Sequence, residues 1–442
     1  EEMDTAMMGL RHFSQNGEPV FQSYHSAHDC DHHNFFPSGT VGIPPVQAGY
    51  LALAYRFARE HGYEVPDAHF WALSGDSEFR EGSMYEAVPD FAEREIGNLT
   101  WIVDYNRQSL DGHRITNRRI MNGSDSKRIE RTMLANGWDV IQLMHGSKRK
   151  DLFLRQGGEA FKDFLEADLE DFELQALLLV HDMKALKRGM SKEHPQLKKF
   201  LDSISDEELY MALHDFGGHD IFSLSEAMLE SKKNTRKPTL IIAHTIKGWG
   251  CKMAAAPGNH SALTTEAELE DLRKKHGLGS GKLFERFNEK SDEGKFCQKR
   301  GVQLLSDIRV QQSVIKKNQE FFATKLKEFG DLPTSLDINT KMTSYPHTQW
   351  MLGQLTAKLT RIANTPIITK ESELPWKQPA ELIVSMAPDV GTSTNLNPAM
   401  DGKIFGAPVV PDFEQEFSVK DSKLPDLIPG EETSDRFLRF EI

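Results

Sequence analysis

The sequence predicts an α/β protein: a parallel sheet with helices on both faces, followed by a linker and the start of a second α/β domain. Two observations carry this. Short apolar runs recur at residues 69–73, 99–104, 138–143 and 239–244, each too short for a helix and most of them bounded by polar or glycine turns. Segments with helical spacing lie between them. Continuous apolar strands alternating with helices are the pattern of a parallel sheet buried on both sides.

In chain order, residues 12–45 are rich in His, Gly and Pro and read as irregular loop. Val46, Tyr50, Leu51, Ala54 and Phe57 then recur at helical spacing, in a helix entered through Pro44 and Pro45. The run at 69–73 stops at Ser74-Gly75-Asp76, a buried strand ending in a tight loop. A helix through Glu86 and Phe91 leads to the second strand, and a helix at 128–136 leads to the third. A long, charged, helical insertion occupies 148–236 before the fourth strand at 239–244. Residues 264–345 are again charged and helical and read as a linker, and 346–442 read as the start of a second domain, with a helix at 348–363 and an apolar run at Ile383 to Met386. The domains expected are therefore 1–263, 264–345 and 346–442, the last incomplete. As read, that last part is too short to bury both faces of a sheet, so its completion is expected from further residues or a partner chain.

A chain of 442 residues predicts two or three domains. A net charge of −13 argues against nucleic-acid binding, which needs clustered Lys and Arg. The three cysteines, Cys30, Cys251 and Cys297, are too few and too scattered for a disulfide framework and point to a reducing compartment. No apolar run approaches the ~20 residues of a membrane span, and Glu1-Glu2-Met3 gives no export signal. The expected location is cytoplasmic, with a mitochondrial matrix or other organelle as the alternative.

The strongest chemical signal is Gly75-Asp76-Ser77-Glu78 followed, about one βα unit later, by Asp104-Tyr105-Asn106-Arg107-Gln108. Both fall at C-terminal ends of predicted strands, where open parallel sheets bind ligands. Asp76 offers a carboxylate oxygen, Asn106 an amide oxygen and Gln108 a backbone carbonyl. These are the hard oxygen donors that magnesium takes in an octahedron, which two diphosphate oxygens and a water complete. Gly75 and Gly82 allow close backbone approach, and a helix N-terminus offers N–H groups to phosphate. Taken alone, Gly75-Asp76 reads first as a strand-end turn with a solvated carboxylate, and only the two motifs together, one βα unit apart, weigh the metal reading evenly against it.

Four segments carry a resemblance: residues 36–45, ending Gly42-Ile43-Pro44-Pro45; residues 73–78; residues 106–112; and residues 242–250, with His244 and Lys247. Together they resemble the decarboxylating, acetyl-transferring component of homodimeric-type pyruvate dehydrogenase, in the transketolase-like superfamily that uses thiamin diphosphate. The resemblance implies the thiamin diphosphate-binding fold, with Asp76, Asn106 and Gln108 on Mg2+. It places Gly42, Ile43, Gly75, Ser77, Glu78, Leu110, Lys247 and His260 against the cofactor. It makes His25, His219, His260 and Lys247 the catalytic candidates. Ser77 and Pro44 stand where the family has Gly.

The implied reaction is oxidative decarboxylation of a 2-oxo acid, pyruvate, with acyl transfer to lipoamide. The implied partners are a lipoyl acyltransferase component and a second subunit, as a homodimer or a complementing C-terminal chain. The family's pyrimidine-activating glutamate falls just past Ile442, so this chain alone is expected to be inactive. Two rival readings are two-carbon transfer on sugar phosphates and a non-catalytic subunit that keeps the cofactor fold. The histidines at 25–33 fit no standard structural zinc spacing and read as a polar loop. His214 to Asp220 reads as a helix C-cap followed by an N-cap Asp, with His219 near the site entrance, and His244 as a strand-end histidine, core or catalytic.

Overall fold

A computed structural model of the chain describes residues 2–10, 12–14, 16–21, 40–109, 112–113, 124–278, 286–331, 333–339, 341, 345, 347–387, 391, 393–396, 399, 405 and 436–439. The chain divides into two compact units, residues 1–50 with 69–287, and residues 51–68 with 288–442.

The first unit is built on a four-stranded parallel sheet. Its strands are β1 (Phe70–Gly75), β2 (Leu99–Tyr105), β5 (Asp139–Leu143) and β6 (Thr239–His244), in spatial order β1-β2-β6-β5. Each predicted apolar run is thus a strand. A two-residue pair, β3 (Gln108–Ser109) with β4 (Gly112–His113), follows β2. The register aligns Gly75 with Asp104 and Tyr105 with His244. That alignment brings Asp76, Asn106 and Thr245 out together at the C-terminal edge.

One expectation needs correction. β6 is buried at all six positions, as a strand covered on both faces must be. β1 alternates instead: Phe70, Ala72 and Ser74 are buried, while Trp71 and Leu73 are exposed, Leu73 to 71%. β1 is one of the two edge strands of this sheet, and its second face is open among the described residues. An unbroken apolar run does not reveal that one side lacks a cover.

The core centres on Trp101, which is wholly buried. Its indole N–H donates to the Pro45 carbonyl at 3.0 Å, and its ring meets Trp138 at 4.7 Å. Trp138 donates to the Val88 carbonyl at 2.8 Å. Both indoles bury large apolar area without leaving a donor unpaired. These bonds tie the start of helix Ile43–Glu60 and helix Gly82–Glu93 to the sheet. Pro44 and Pro45 sit in the first turn of helix Ile43–Glu60, where a backbone N–H has no helical partner to lose.

The helical insertion has its own core, with Phe161, Phe200, Leu209 and Phe216 wholly buried. Ile246 and Ala255, from the loop after β6, pack into the same cluster. The insertion therefore backs the loop that carries Lys247. Helix Asp206–His214 starts at a capping box in which Ser205 and Glu208 satisfy each other's backbone N–H groups. Asp220 caps helix Ile221–Glu230, as its sequence context predicted.

In the second unit, helix Asp292–Phe329 runs for 38 residues. Leu359, Ile362, Ala363 and Ala380 form a small core, and β7 (Ser385–Ala387) pairs in parallel with β8 (Phe437–Arg439). No helix among the described residues is long and apolar enough to cross a membrane.

Candidate cofactor and metal site

Asp76 opens a short 3-10 turn, Asp76–Arg80, directly after β1, and only 1% of it is exposed. Its Oδ2 accepts the Arg107 backbone N–H at 2.7 Å. Its Oδ1 faces the Ser77 hydroxyl at 3.5 Å, and the same hydroxyl lies 3.3 Å from the Gln108 carbonyl. Asn106 Oδ1 accepts the Gln108 N–H at 3.0 Å, and Asn106 Nδ2 donates to Asp104 at 3.4 Å. Asp104 also accepts the Thr245 hydroxyl, so the ends of β2 and β6 are joined there. The three oxygen donors anticipated from sequence thus lie in one linked set between β1 and β2.

That set depends on Arg107, whose φ of 64° lies in the left-handed region, strained for any side chain. The turn aims its N–H at Asp76. The guanidinium is fully buried and donates to the Thr245 carbonyl at 2.5 Å, the Tyr105 carbonyl at 3.4 Å and Gln175 Oε1 at 3.4 Å. It also stacks 4.6 Å from the Phe216 ring centroid. The left-handed backbone falls on Arg107 and not on Ser77, so Ser in place of Gly carries no backbone penalty there.

Glu78 works through its two oxygens. Oε1 accepts the Gly75 N–H at 2.8 Å and Oε2 the Gly42 N–H at 3.0 Å. It therefore locks the loop before helix Ile43–Glu60 to the end of β1. Gly42 has φ 78°, and a Cβ there would lie 2.5 Å from the Glu81 Cβ. Ile43 begins the helix and is 39% exposed.

On the far side of the edge, Gly217 and Gly218 let a turn pass across the strand ends. A Cβ on Gly217 would lie 2.6 Å from the Leu143 carbonyl oxygen, and one on Gly218 2.5 Å from that of His244. This places His219, whose Nε2 accepts the Ile246 N–H at 2.8 Å and whose ring stacks on Trp249 at 4.7 Å. An accepting Nε2 leaves the proton of the neutral ring on Nδ1. Lys247 Nζ lies 2.6 Å from His260 Nδ1. Partial burial lowers the Lys247 pKa, while Asp104 and Asp76 oppose that shift. Asn259 holds this loop closed by donating to the carbonyls of Lys247 (3.0 Å) and Met253 (3.1 Å). His25, the histidine cluster at 25–33 and Leu110 lie outside the described residues.

Sequence reasoning missed Asp104, Arg107 and Asn259 as working parts; of the three, only Arg107 stands inside a segment that carries the resemblance. His244 is a core histidine in contacts: it is 3% exposed and pairs with Gln142 Oε1 at 3.0 Å.

A pH dependence follows. Burial is the first cause lowering the pKa of His69 to about 4, of His145 to about 3, and of His219 and His244 in the same direction. His145 lies 2.8 Å from Glu166, which would favour its charged form, but Arg149 donates to its Nδ1 at 3.0 Å and so requires a neutral ring. Each folded pKa lies below the unfolded value of ~6.5. On acidification the unfolded chain takes up these protons first. Stability should be full above pH ~6.5 and fall steadily towards pH 4, as measured by urea midpoints. A midpoint constant from pH 7 to 5 would contradict this.

Magnesium takes hard oxygen donors, and one carboxylate, one amide oxygen and one backbone carbonyl form such a set. Among the described residues no three His, Cys, Asp or Glu side chains gather around a common point. The Gln108 side-chain Nε2 is also buried with no hydrogen-bond partner among the described residues, a donor left over beside these oxygens. The residues present fit a divalent cation with an anionic ligand.

The Pyruvate dehydrogenase E1 component of Corynebacterium glutamicum is 27% identical over 268 residues, covering 60% of this chain and 28% of its own length. That of Cupriavidus necator is 29% identical over 245 residues, covering 54% and 26%. The chain resembles the pyruvate dehydrogenase E1 component. It spans about a quarter of the length of these E1 relatives. The family described as Transketolase, thiamine diphosphate binding domain, matches residues 208–329. That stretch includes His219, Lys247 and His260, while Asp76 and Asn106 precede it. A solved transketolase from Leishmania mexicana aligns with 92% of this chain and 44% of its own, at 16% identity and a TM-score of 0.49.

Proposed function

We propose that the chain binds thiamin diphosphate with Mg2+ and serves in the oxidative decarboxylation of pyruvate, with acyl transfer to a lipoyl group. The observation that carries this reading is the linked set of Asp76, Ser77, Asn106 and Gln108 at the sheet edge. The names of the E1 relatives and of the matching family support it.

In this reading Asp76, Asn106 and the Gln108 carbonyl hold the cation. Gly42, Ile43, Gly75 and Ser77 form the wall nearest the diphosphate, and Glu78 fixes that wall through its two backbone bonds. The bound cofactor supplies the electron sink for decarboxylation. His219 offers Nδ1–H as its donor, because Nε2 is held by Ile246. Lys247 and His260 share a short contact that can hold one proton at the loop. The lipoyl acyltransferase and a second subunit are the partners in this reading.

The test is release of labelled CO2 from carboxyl-labelled pyruvate by the full protein, with thiamin diphosphate and Mg2+. Release that needs both supports the proposal. Turnover of a ketose phosphate with no release from pyruvate would replace it with two-carbon transfer. Cofactor binding with turnover of neither would make this a non-catalytic subunit.

A further inference from the structure

Ser77 stands where the resembling family has glycine, and its hydroxyl reaches two of the oxygens assigned to the cation. It is 3.5 Å from Asp76 Oδ1 and 3.3 Å from the Gln108 carbonyl. We propose that the Ser77 hydroxyl is an internal competitor of the cation: it spans the gap between these two oxygens, and a cation must displace it to bind. This inference rests on the magnesium reading above and goes beyond it by naming a residue that sets the affinity.

The chemistry is specific. A carboxylate oxygen and a carbonyl oxygen that face one space repel each other, and a hydroxyl placed between them relieves that repulsion by donating to one at a time. Magnesium relieves it more completely, but it demands six ligands at ~2.0–2.1 Å in near-ideal octahedral geometry. In the magnesium reading three protein oxygens and two diphosphate oxygens would hold the cation and a water would complete the octahedron. The hydroxyl would then give up its place between Asp76 and Gln108 by rotating to another staggered well. The left-handed backbone of this loop lies at Arg107, so rotation at Ser77 is a side-chain event that leaves the turn in place.

The test is the affinity for Mn2+, read from the electron paramagnetic resonance of the free ion at saturating thiamin diphosphate. Wild type is compared with Ser77→Ala, Ser77→Gly and Ser77→Thr, each checked for folding by circular dichroism. Ser77→Ala and Ser77→Gly should bind Mn2+ about fivefold more tightly, the worth of one ordinary hydrogen bond. Ser77→Thr, which keeps the hydroxyl, should stay near wild type. Unchanged affinity in Ser77→Ala and Ser77→Gly overturns the inference and leaves the cation site standing. Weaker binding in both overturns it by making the hydroxyl a ligand. Failure of the wild type to bind Mn2+ removes the cation reading and the inference with it.

Discussion

Replacing Asp76 with Asn should abolish magnesium-dependent binding of thiamin diphosphate while leaving the sheet folded. The two side chains have the same shape, but Asp76 uses both oxygens. Oδ2 accepts the Arg107 N–H and Oδ1 faces the Ser77 hydroxyl. An amide keeps one acceptor and turns an NH2 donor towards the other side. If the oxygen stays with Arg107, the NH2 meets the cation; if it turns, the Arg107 N–H loses its partner. Either way the anionic ligand is gone. Changes to groups merely behind a metal ligand cost 10–100-fold in affinity, so losing the ligand itself should weaken binding by at least ~100-fold. Equilibrium dialysis with labelled cofactor measures this. A variant that binds within a few-fold of wild type would show that Asp76 serves only the turn.

Arg107→Ala should give the largest loss of stability of any change near the site. The guanidinium is fully buried, bonded to two carbonyls and Gln175, and stacked on Phe216. Phe216 carries a second guanidinium, that of Arg149, 4.5 Å from its centroid. Tyr105, close by, donates to Asp171 at 2.6 Å. Removing Arg107 strips three buried acceptors of a charged donor, at about 1–3 kcal/mol for each one left unpaired. Arg107→Gly loses the same contacts but relieves the left-handed backbone, so it should be less destabilised by ~1 kcal/mol. Urea unfolding separates the two. Equal midpoints would mean that the backbone of Arg107 stores no strain.

The four strands were legible because each is a short apolar run set off by turns, and the period of burial is local information. The open face of β1 was not legible, since Trp71 and Leu73 look like core residues until the sheet order places them at the edge. The same division holds at the site. Asp76, Asn106 and Gln108 could be picked out because a strand end is a local feature, and parallel pairing brings two such ends together. The partners that position them could not. Thr245 meets Asp104 across 141 residues, and Glu78 reaches Gly42 across 36. Those pairings follow from register and chain path, which no short window contains. Ser77 and Pro44, which stand where the family has Gly, meet no backbone strain: the left-handed residue is Arg107, and Pro44 lies in a helix's first turn.

The central claim is that one cation, held by oxygens from two strand ends, fastens a diphosphate to this sheet edge. Calorimetric titration with thiamin diphosphate, once in Mg2+ and once in excess chelator, tests it directly. Saturable binding in Mg2+ that disappears with the chelator is the predicted result. Equal heats and equal affinity in the two titrations would contradict it.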